Sequence, residues 1–207
     1  MSALQRELAA AVDGEVRFDA VSRALYSTDA SVYQIEPLGV VIPRSADGVA
    51  QAVSIAARHG VPLTPRGGGT SQAGQAIGAG LVIDTSKHLN RILEIDADAR
   101  WARVQPGVVL DELNAALLPH HLRFAPDVSS ASRATVGGMM ANNSSGARSV
   151  LYGKTIDHVR EQRVVLADGR LAHFRPLTAG QLNEMRMGDS IEARAYRAVP
   201  DLGRRHA

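Results

Sequence analysis

The sequence predicts an α+β fold, in which a small α/β unit with parallel strands is followed by antiparallel strand pairs and helices. Three observations carry that reading. Residues 39–84 run strand, helix, strand, glycine-rich loop, strand, the order that builds parallel pairing. Residues 92–104 and 159–175 each read as two strands around a tight turn. The 207 residues, 45% hydrophobic and 21% charged, have the composition of a chain that buries a core, as one domain or as two small lobes.

The elements follow in order. Residues 1–35 read as a helical lead-in, with Leu4, Leu8 and Val12 on one face and a shorter apolar face at Val21 and Leu25. Gly39-Val-Val-Ile-Pro43 is a β-branched run closed by a proline, a buried strand. Ser45 to Asp47 can cap a helix whose apolar face is Val49, Ala52, Val53, Ala56 and Ala57, stopped at Gly60. Val61–Pro65 and Gly80–Asp84 are brief strands on either side of the glycine-rich loop. Ile92–Ile95 and Trp101–Val104 flank a turn, and Val109, Leu113 and Leu117 have helical spacing up to Pro119. Residues 126–146 carry few long apolar side chains and many Ser, Asn and Gly. Asp168-Gly169 is the turn of the last hairpin. From Ser190 the face Ile191, Ala195, Ala198, Val199 and Leu202 predicts a helix that Pro200 would kink. No closing element follows, as expected of a chain cut short of its natural end.

Composition narrows the functional classes. Cysteine is absent, which excludes disulfides, thiol catalysis and iron–sulfur ligation by these residues. The formal charge is only +2, and all the cations except Lys87 and Lys154 are scattered arginines, with aromatics at 4%. Nucleic-acid binding would want clustered cations with stacking rings, so no nucleic-acid partner is expected. No apolar run is long enough for a membrane span and the opening residues lack a signal-peptide stretch, so a cytoplasmic location is the expectation. His120-His121 is adjacent rather than spaced as metal ligands are, and no metal site is expected.

Two loops carry chemistry. In Pro65-Arg-Gly-Gly-Gly-Thr-Ser71 three successive glycines escape the ~1–2 kcal/mol cost that a Cβ imposes at positive φ. Consecutive N–H groups of Gly67, Gly68 and Gly69 can then face one concavity that holds an anion such as pyrophosphate, with Thr70 and Ser71 adding hydroxyls. The spacing is not that of a P-loop, since Gln75 stands where the lysine should be. It is not a GxGxxG fingerprint either, because Gln72 replaces the third glycine. In the second segment, Pro126-Asp127 and then Ala134 to Gly146, Gly137-Gly138 lets backbone approach a flat ligand. There Asn142, Asn143, Ser144 and Ser145 supply short donors and acceptors.

Taken together and in order, PRGGGTS, GLVIDTSKHLN, VQPGVVLDELNAAL, FAPDVSS with ATVGGMMANNSSG, and the VVLADG hairpin resemble the PCMH-type FAD-binding domain of the vanillyl-alcohol-oxidase superfamily. The similarity is to its FAD-linked oxidase branch, with D-lactate, glycolate and D-2-hydroxyglutarate dehydrogenases, and most of all to fusion flavoproteins carrying a downstream iron–sulfur module. It covers about Glu36 to Arg175.

The resemblance implies a two-lobed α+β domain over residues 36–207, incomplete at its C-terminus. A small α/β lobe would span about 36–90, and a mixed or antiparallel sheet lobe with helices about 91–207. FAD would lie between the lobes. Backbone of Arg66, Gly67, Gly68, Gly69, Thr70 and Ser71 would cradle its pyrophosphate; Pro126, Asp127, Thr135, Gly137, Gly138 and Asn142 would line the flavin and ribityl side; Ser144 to Gly146 would help close the phosphate region. Some relatives attach FAD through a histidine in the first loop; Thr70 stands at that place here, so non-covalent FAD is expected. In similar enzymes a D-2-hydroxy acid gives hydride to flavin N5, and the catalytic residues, substrate contacts and any metal ligands sit in a following cap domain. No catalytic residue is therefore expected within these 207, which by themselves should bind FAD weakly or not at all and show no turnover. A UDP-N-acetylenolpyruvoylglucosamine reductase-like flavoenzyme and a non-catalytic nucleotide-binding module remain the alternative readings.

Overall fold

The computed structural model describes residues 1–206. Its chain order begins α1 (Ala3–Ala11), β1 (Gly14–Arg17), α2 (Ala20–Leu25), β2 (Gly39–Pro43), α3 (Ala46–Arg58), β3 (Leu63–Arg66) and β4 (Leu81–Asp84). The four strands form one sheet in the order β1-β2-β4-β3, with β4 parallel to both β2 and β3. The parallel pairing expected from the strand–helix–strand order is present. β1 is the difference: it pairs antiparallel with β2 inside the stretch read as helical. Gly14-Glu-Val-Arg17 has one strong strand former among four residues, and its half-burial reflects an edge position that gives little apolar signal.

The two faces of this sheet are covered differently. Val41, Leu81 and Ile83 pack under α3, through Ala52, Val53, Ile55 and Ala56, together with Leu4 and Leu8 of α1. Val40, Ile42 and Val82 form a smaller cluster beneath Tyr26. β2 is buried on both faces, which is why its sequence is continuously apolar instead of alternating. Ser45 caps α3 by accepting from Gly48 N, and Gly60, at φ +64, ends that segment where glycine was expected to stop it.

The remainder comprises β5 (Ile92–Asp96), β6 (Trp101–Val104), α4 (Leu110–Leu117), α5 (Val136–Asn142), α6 (Ser149–Tyr152), β7 (Gln162–Val165), β8 (Leu171–Phe174), α7 (Ala179–Met185) and α8 (Ile191–Arg205). β5 with β6 and β7 with β8 are antiparallel pairs, as their turns predicted. Leu113 and Leu117 of α4 bury against Val108 and Val136, backed by the β5–β6 pair. The hairpin tip at Gly169, with φ +84, lies against α3, where a Cβ would come within 2.7 Å of Ser54 Cβ.

α8 runs through Pro200. Proline leaves the carbonyl four residues back without its helical donor, and here Arg186 Nε donates to that Tyr196 oxygen at 3.2 Å. The buried residue of α8 is Ala193, while Val199 and Leu202 of the predicted apolar face are exposed. No helix among the described residues is long and apolar enough to cross a membrane.

Candidate cofactor site

β3 and β4 leave the sheet side by side, and a cleft of about 460 Å³ opens at their C-terminal ends. Arg66, Gly67 and Gly68 from β3 and its loop line it, with Asp84 at the end of β4 and Ser86 just beyond. Arg133 and Thr135 of the second segment close the opposite side, so the two glycine-rich segments singled out in the sequence meet here. Such crevices outside the carboxyl ends of parallel strands are where open α/β sheets take ligands.

The glycines answer a spatial requirement. A Cβ on Gly67 would sit 2.0 Å from Thr135 Oγ1, and one on Gly68 would sit 2.1 Å from the Arg133 carbonyl oxygen. Gly69 takes φ +67, and a Cβ there would meet the Arg66 guanidinium at 2.6 Å. Gly69 is fixed from behind, its carbonyl accepting from Ala30 N at 3.1 Å.

Among the described residues, none of the five successive N–H groups from Gly67 to Ser71 donates to a protein acceptor. Unpaired consecutive amides form a concave, partly positive surface, and the donor set fits a diphosphate. The Ser71 hydroxyl is used inside the loop: it bonds Gln75 Oε1 and accepts from the N–H groups of Ala73 and Gln75, both at 3.2 Å.

The Arg66 side chain turns back beneath its own loop. Its Nη1 donates to the carbonyls of Thr28 at 2.8 Å and Ala76 at 3.2 Å, and its guanidinium lies 5.2 Å from the centre of the Tyr26 ring. Tyr26 donates its hydroxyl to Asp84 Oδ2, while Asp84 Oδ1 accepts from Ser86 N and Oγ, each at 2.7 Å. Burial first, and the Asp84 carboxylate second, push the Tyr26 phenol well above its ordinary value, so it stays a protonated donor.

Of the second segment, Thr135 alone among the predicted residues reaches this cleft. It is buried and caps α5 by accepting from Gly138 N at 3.4 Å. Gly137 faces away, donating to Pro106 O at 2.8 Å, with no room for a Cβ against Pro106. Asn142 is exposed and donates to Gly138 O. The Ser144 carbonyl accepts from Thr155 N and Oγ1.

Pro126 is buried, and Asp127 forms a separate contact in which Arg148 Nε donates to Oδ2 at 2.6 Å. That hydrogen bond holds the Asp127 carboxyl below its usual range. Asp127 Oδ1 is buried without a partner beside Gly146, whose Cβ would come within 2.3 Å of it. Tyr26, Asp84, Ser86 and Arg133 were not anticipated. Tyr26 and Asp84 lie 58 positions apart, and no local spacing links them.

Residues 37–175 match the FAD binding domain family. The chain is 43% identical over 192 residues to a D-2-hydroxyglutarate dehydrogenase of Pseudomonas putida, covering 91% of this chain and 19% of that protein. It is 40% identical over 163 residues to the glycolate oxidase subunit GlcD of Bacillus subtilis, covering 76% of this chain and 34% of that one. The chain thus spans between about a fifth and a third of these curated relatives. Among solved structures it is similar to an alkyldihydroxyacetonephosphate synthase, with TM-score 0.74 and 26% identity over 83% of this chain and 38% of that one. A xylooligosaccharide oxidase at TM-score 0.73 and 24% identity, covering 87% of this chain and 38% of that one, shares the fold. With the diphosphate-fitting amides at the junction of its two glycine-rich segments, this chain belongs to the FAD binding domain family, in the PCMH-type fold of the vanillyl-alcohol-oxidase flavoenzymes.

Proposed function

We propose that these residues are the FAD-holding part of a flavin-dependent oxidoreductase acting on a D-2-hydroxy acid. The observation that carries the cofactor assignment is the row of five unpaired amides from Gly67 to Ser71, whose first two residues line the cleft. The substrate class rests on similarity to proteins named D-2-hydroxyglutarate dehydrogenase and glycolate oxidase subunit. The chemistry supplied by bound FAD is acceptance, at flavin N5, of the hydride from the α-carbon of the hydroxy acid.

The residues here bind and orient. The loop amides neutralise the diphosphate, each charge-assisted bond contributing roughly 1.5–3 kcal/mol. The Thr135–Gly67 contact keeps the second segment against that loop. Asp127 and Gly146 pack on each other and do not line the cleft, and in this reading they support the flavin end. Substrate contacts, the base that takes the hydroxyl proton and an iron–sulfur electron acceptor are proposed to lie on a cap domain and a further module outside these residues.

The test is titration of the chain with FAD, followed by flavin fluorescence. Saturable binding is expected with Kd in the micromolar range or weaker, displaced by ADP and not by riboflavin, which lacks the phosphates. Equal binding of riboflavin would overturn the assignment of the loop to the diphosphate, and no saturation up to about 1 mM FAD (about −4 kcal/mol) would mean that these residues do not hold the cofactor by themselves. No reduction of an artificial dye by D-2-hydroxyglutarate is expected from the 207 residues alone. Robust turnover would show that the catalytic groups are already present in them.

A further inference from the structure

The cleft contains two arginines with different surroundings. Arg66 turns its guanidinium under the loop, where Nη1 donates to two backbone carbonyls and the group lies over the Tyr26 ring. Arg133 is exposed and lines the cleft, and its side chain makes no hydrogen bond or ion pair among the described residues. Its main chain, by contrast, is tightly fixed. Arg133 N donates to Ser130 O at 2.8 Å, Ala134 N to the same oxygen at 2.7 Å, and Leu110 N to Ala134 O at 3.0 Å. The Arg133 carbonyl also abuts Gly68 so closely that only glycine fits there. A free guanidinium is therefore carried on a rigid backbone whose own carbonyl packs against Gly68 of the amide loop.

The other charges in the cleft sharpen the contrast. Asp84 has both oxygens engaged, by the Tyr26 hydroxyl and by Ser86. Glu112, in the first turn of α4, is the second carboxylate lining it. An incoming diphosphate thus meets two carboxylates, one arginine whose Nη1 is already engaged by two backbone carbonyls, and one arginine with no side-chain partner among the described residues.

We propose that Arg133 is the cation that pairs with the cofactor's diphosphate, and that Arg66, despite its place in the glycine-rich motif, is a positioning residue that holds the loop in its binding shape. This rests on the FAD-binding reading above and adds to it a division of labour between the two arginines. Guanidinium and diphosphate oxygens form charge-assisted, fork-like hydrogen bonds, for which an exposed and unpaired arginine is suited. The strut role depends on geometry rather than charge: the planar guanidinium donates to two carbonyls through Nη1 while its face lies over the Tyr26 ring, and a lysine ammonium has no such face.

The experiment measures FAD, ADP and riboflavin affinity, at low and at high salt, for the unaltered chain and for Arg133→Gln, Arg133→Lys, Arg66→Gln and Arg66→Lys, with thermal melting alongside. Arg133→Gln is expected to weaken both ligands about ten- to hundred-fold at low salt, with an unchanged melting temperature. That loss should shrink at high salt, and Arg133→Lys should recover most of it. Arg66→Lys and Arg66→Gln are expected to weaken binding equally, with little salt dependence and a reduced preference for FAD over riboflavin. Arg133→Gln within twofold of the unaltered chain would overturn the proposal. So would Arg66→Lys binding FAD normally while Arg66→Gln does not. If an Arg66 variant fails to fold, the Arg133 pair decides. Failure of the unaltered chain to bind FAD would instead overturn the reading that these residues hold the cofactor by themselves.

Discussion

Replacing Gly67 by alanine tests whether the two glycine-rich segments are locked together. The added Cβ would lie 2.0 Å from Thr135 Oγ1, 3.1 Å from its Cβ and 3.3 Å from its Cγ2. An ordinary contact needs more than 3.4 Å, so one partner must move by over 1 Å. Two routes are open. Thr135 can rotate, which gives up its cap on Gly138 N and costs about 1 kcal/mol, with its Cβ still tight against the new methyl. Or the loop can shift, at the ~1–3 kcal/mol typical of overpacking. Thr135→Ala alone loses the same cap and should cost about 1 kcal/mol. The double variant Gly67→Ala/Thr135→Ala loses that cap once, so it should be less destabilised than the sum of the singles by about 1 kcal/mol. Urea unfolding of the four proteins reads this directly. If the double variant equals the sum within about 0.5 kcal/mol, the two residues do not share a contact and the argument fails.

Three further outcomes are expected. Gly169→Ala places a Cβ at φ +84 against Ser54 and the Ala50 carbonyl, and should destabilise by about 2 kcal/mol in the same urea assay; a loss under about 0.5 kcal/mol would mean the hairpin tip is free of α3. Hydrogen bonds from Lys87 first, then His88, with Arg17 adding to them, hold the Glu15 carboxyl down at about 2 from its ordinary 4.5. Because its folded value is depressed, its stabilisation is present above about 4.5 and lost as pH falls toward 2. Glu15→Gln should therefore flatten that part of a melting-temperature profile and leave the lowest pH unchanged, whereas a parallel drop at all pH values would contradict the pairing. With Thr70 at the place of the attachment histidine, FAD should leave the protein on acid precipitation, and a yellow pellet would contradict non-covalent binding.

The fold was legible wherever the local pattern and the tertiary environment agree. Val40 to Pro43 and Leu81 to Asp84 are buried on both faces, and a continuous apolar run is what such strands need. β1 escaped because an edge strand with Glu15 and Arg17 on it needs little apolar content. α7 escaped because none of its residues is buried, leaving no apolar stripe to read. α5 holds two glycines in seven residues, against helix propensity. Its formation depends on the Thr135 cap and on Gly137 bonding to Pro106, the second of which no local window contains.

The candidate site divides in the same way. Its anion-holding loop is local, three glycines in a row, and could be named from the sequence. The Tyr26–Asp84 bond and the free Arg133 come from strands and loops that only folding brings together.

That division has a physical origin in the segment around Pro106 to Leu110. Gly107 N donates to Leu89 O at 2.7 Å, and a Cβ on Gly107 would strike the Thr85 and Leu89 carbonyls, so this stretch is pressed against the chain leaving β4. The same stretch bonds forward to the second glycine-rich segment: Pro106 O accepts from Gly137 N, Val108 O from Val136 N, and Leu110 N donates to Ala134 O. It is a hub with one side on the sheet that carries Gly67 to Ser71 and the other on the segment that carries Arg133 and Thr135. An anion site assembled from two distant segments must avoid the entropy of ordering them when ligand arrives, and a shared backbone hub meets that need before any ligand binds. The bonds are main chain to main chain, so they depend on the glycine at 107 and on register rather than on any functional side chain. This is why the most chemically eloquent residues in the sequence show what is bound, while the residues that bring the binding groups together look like ordinary structure.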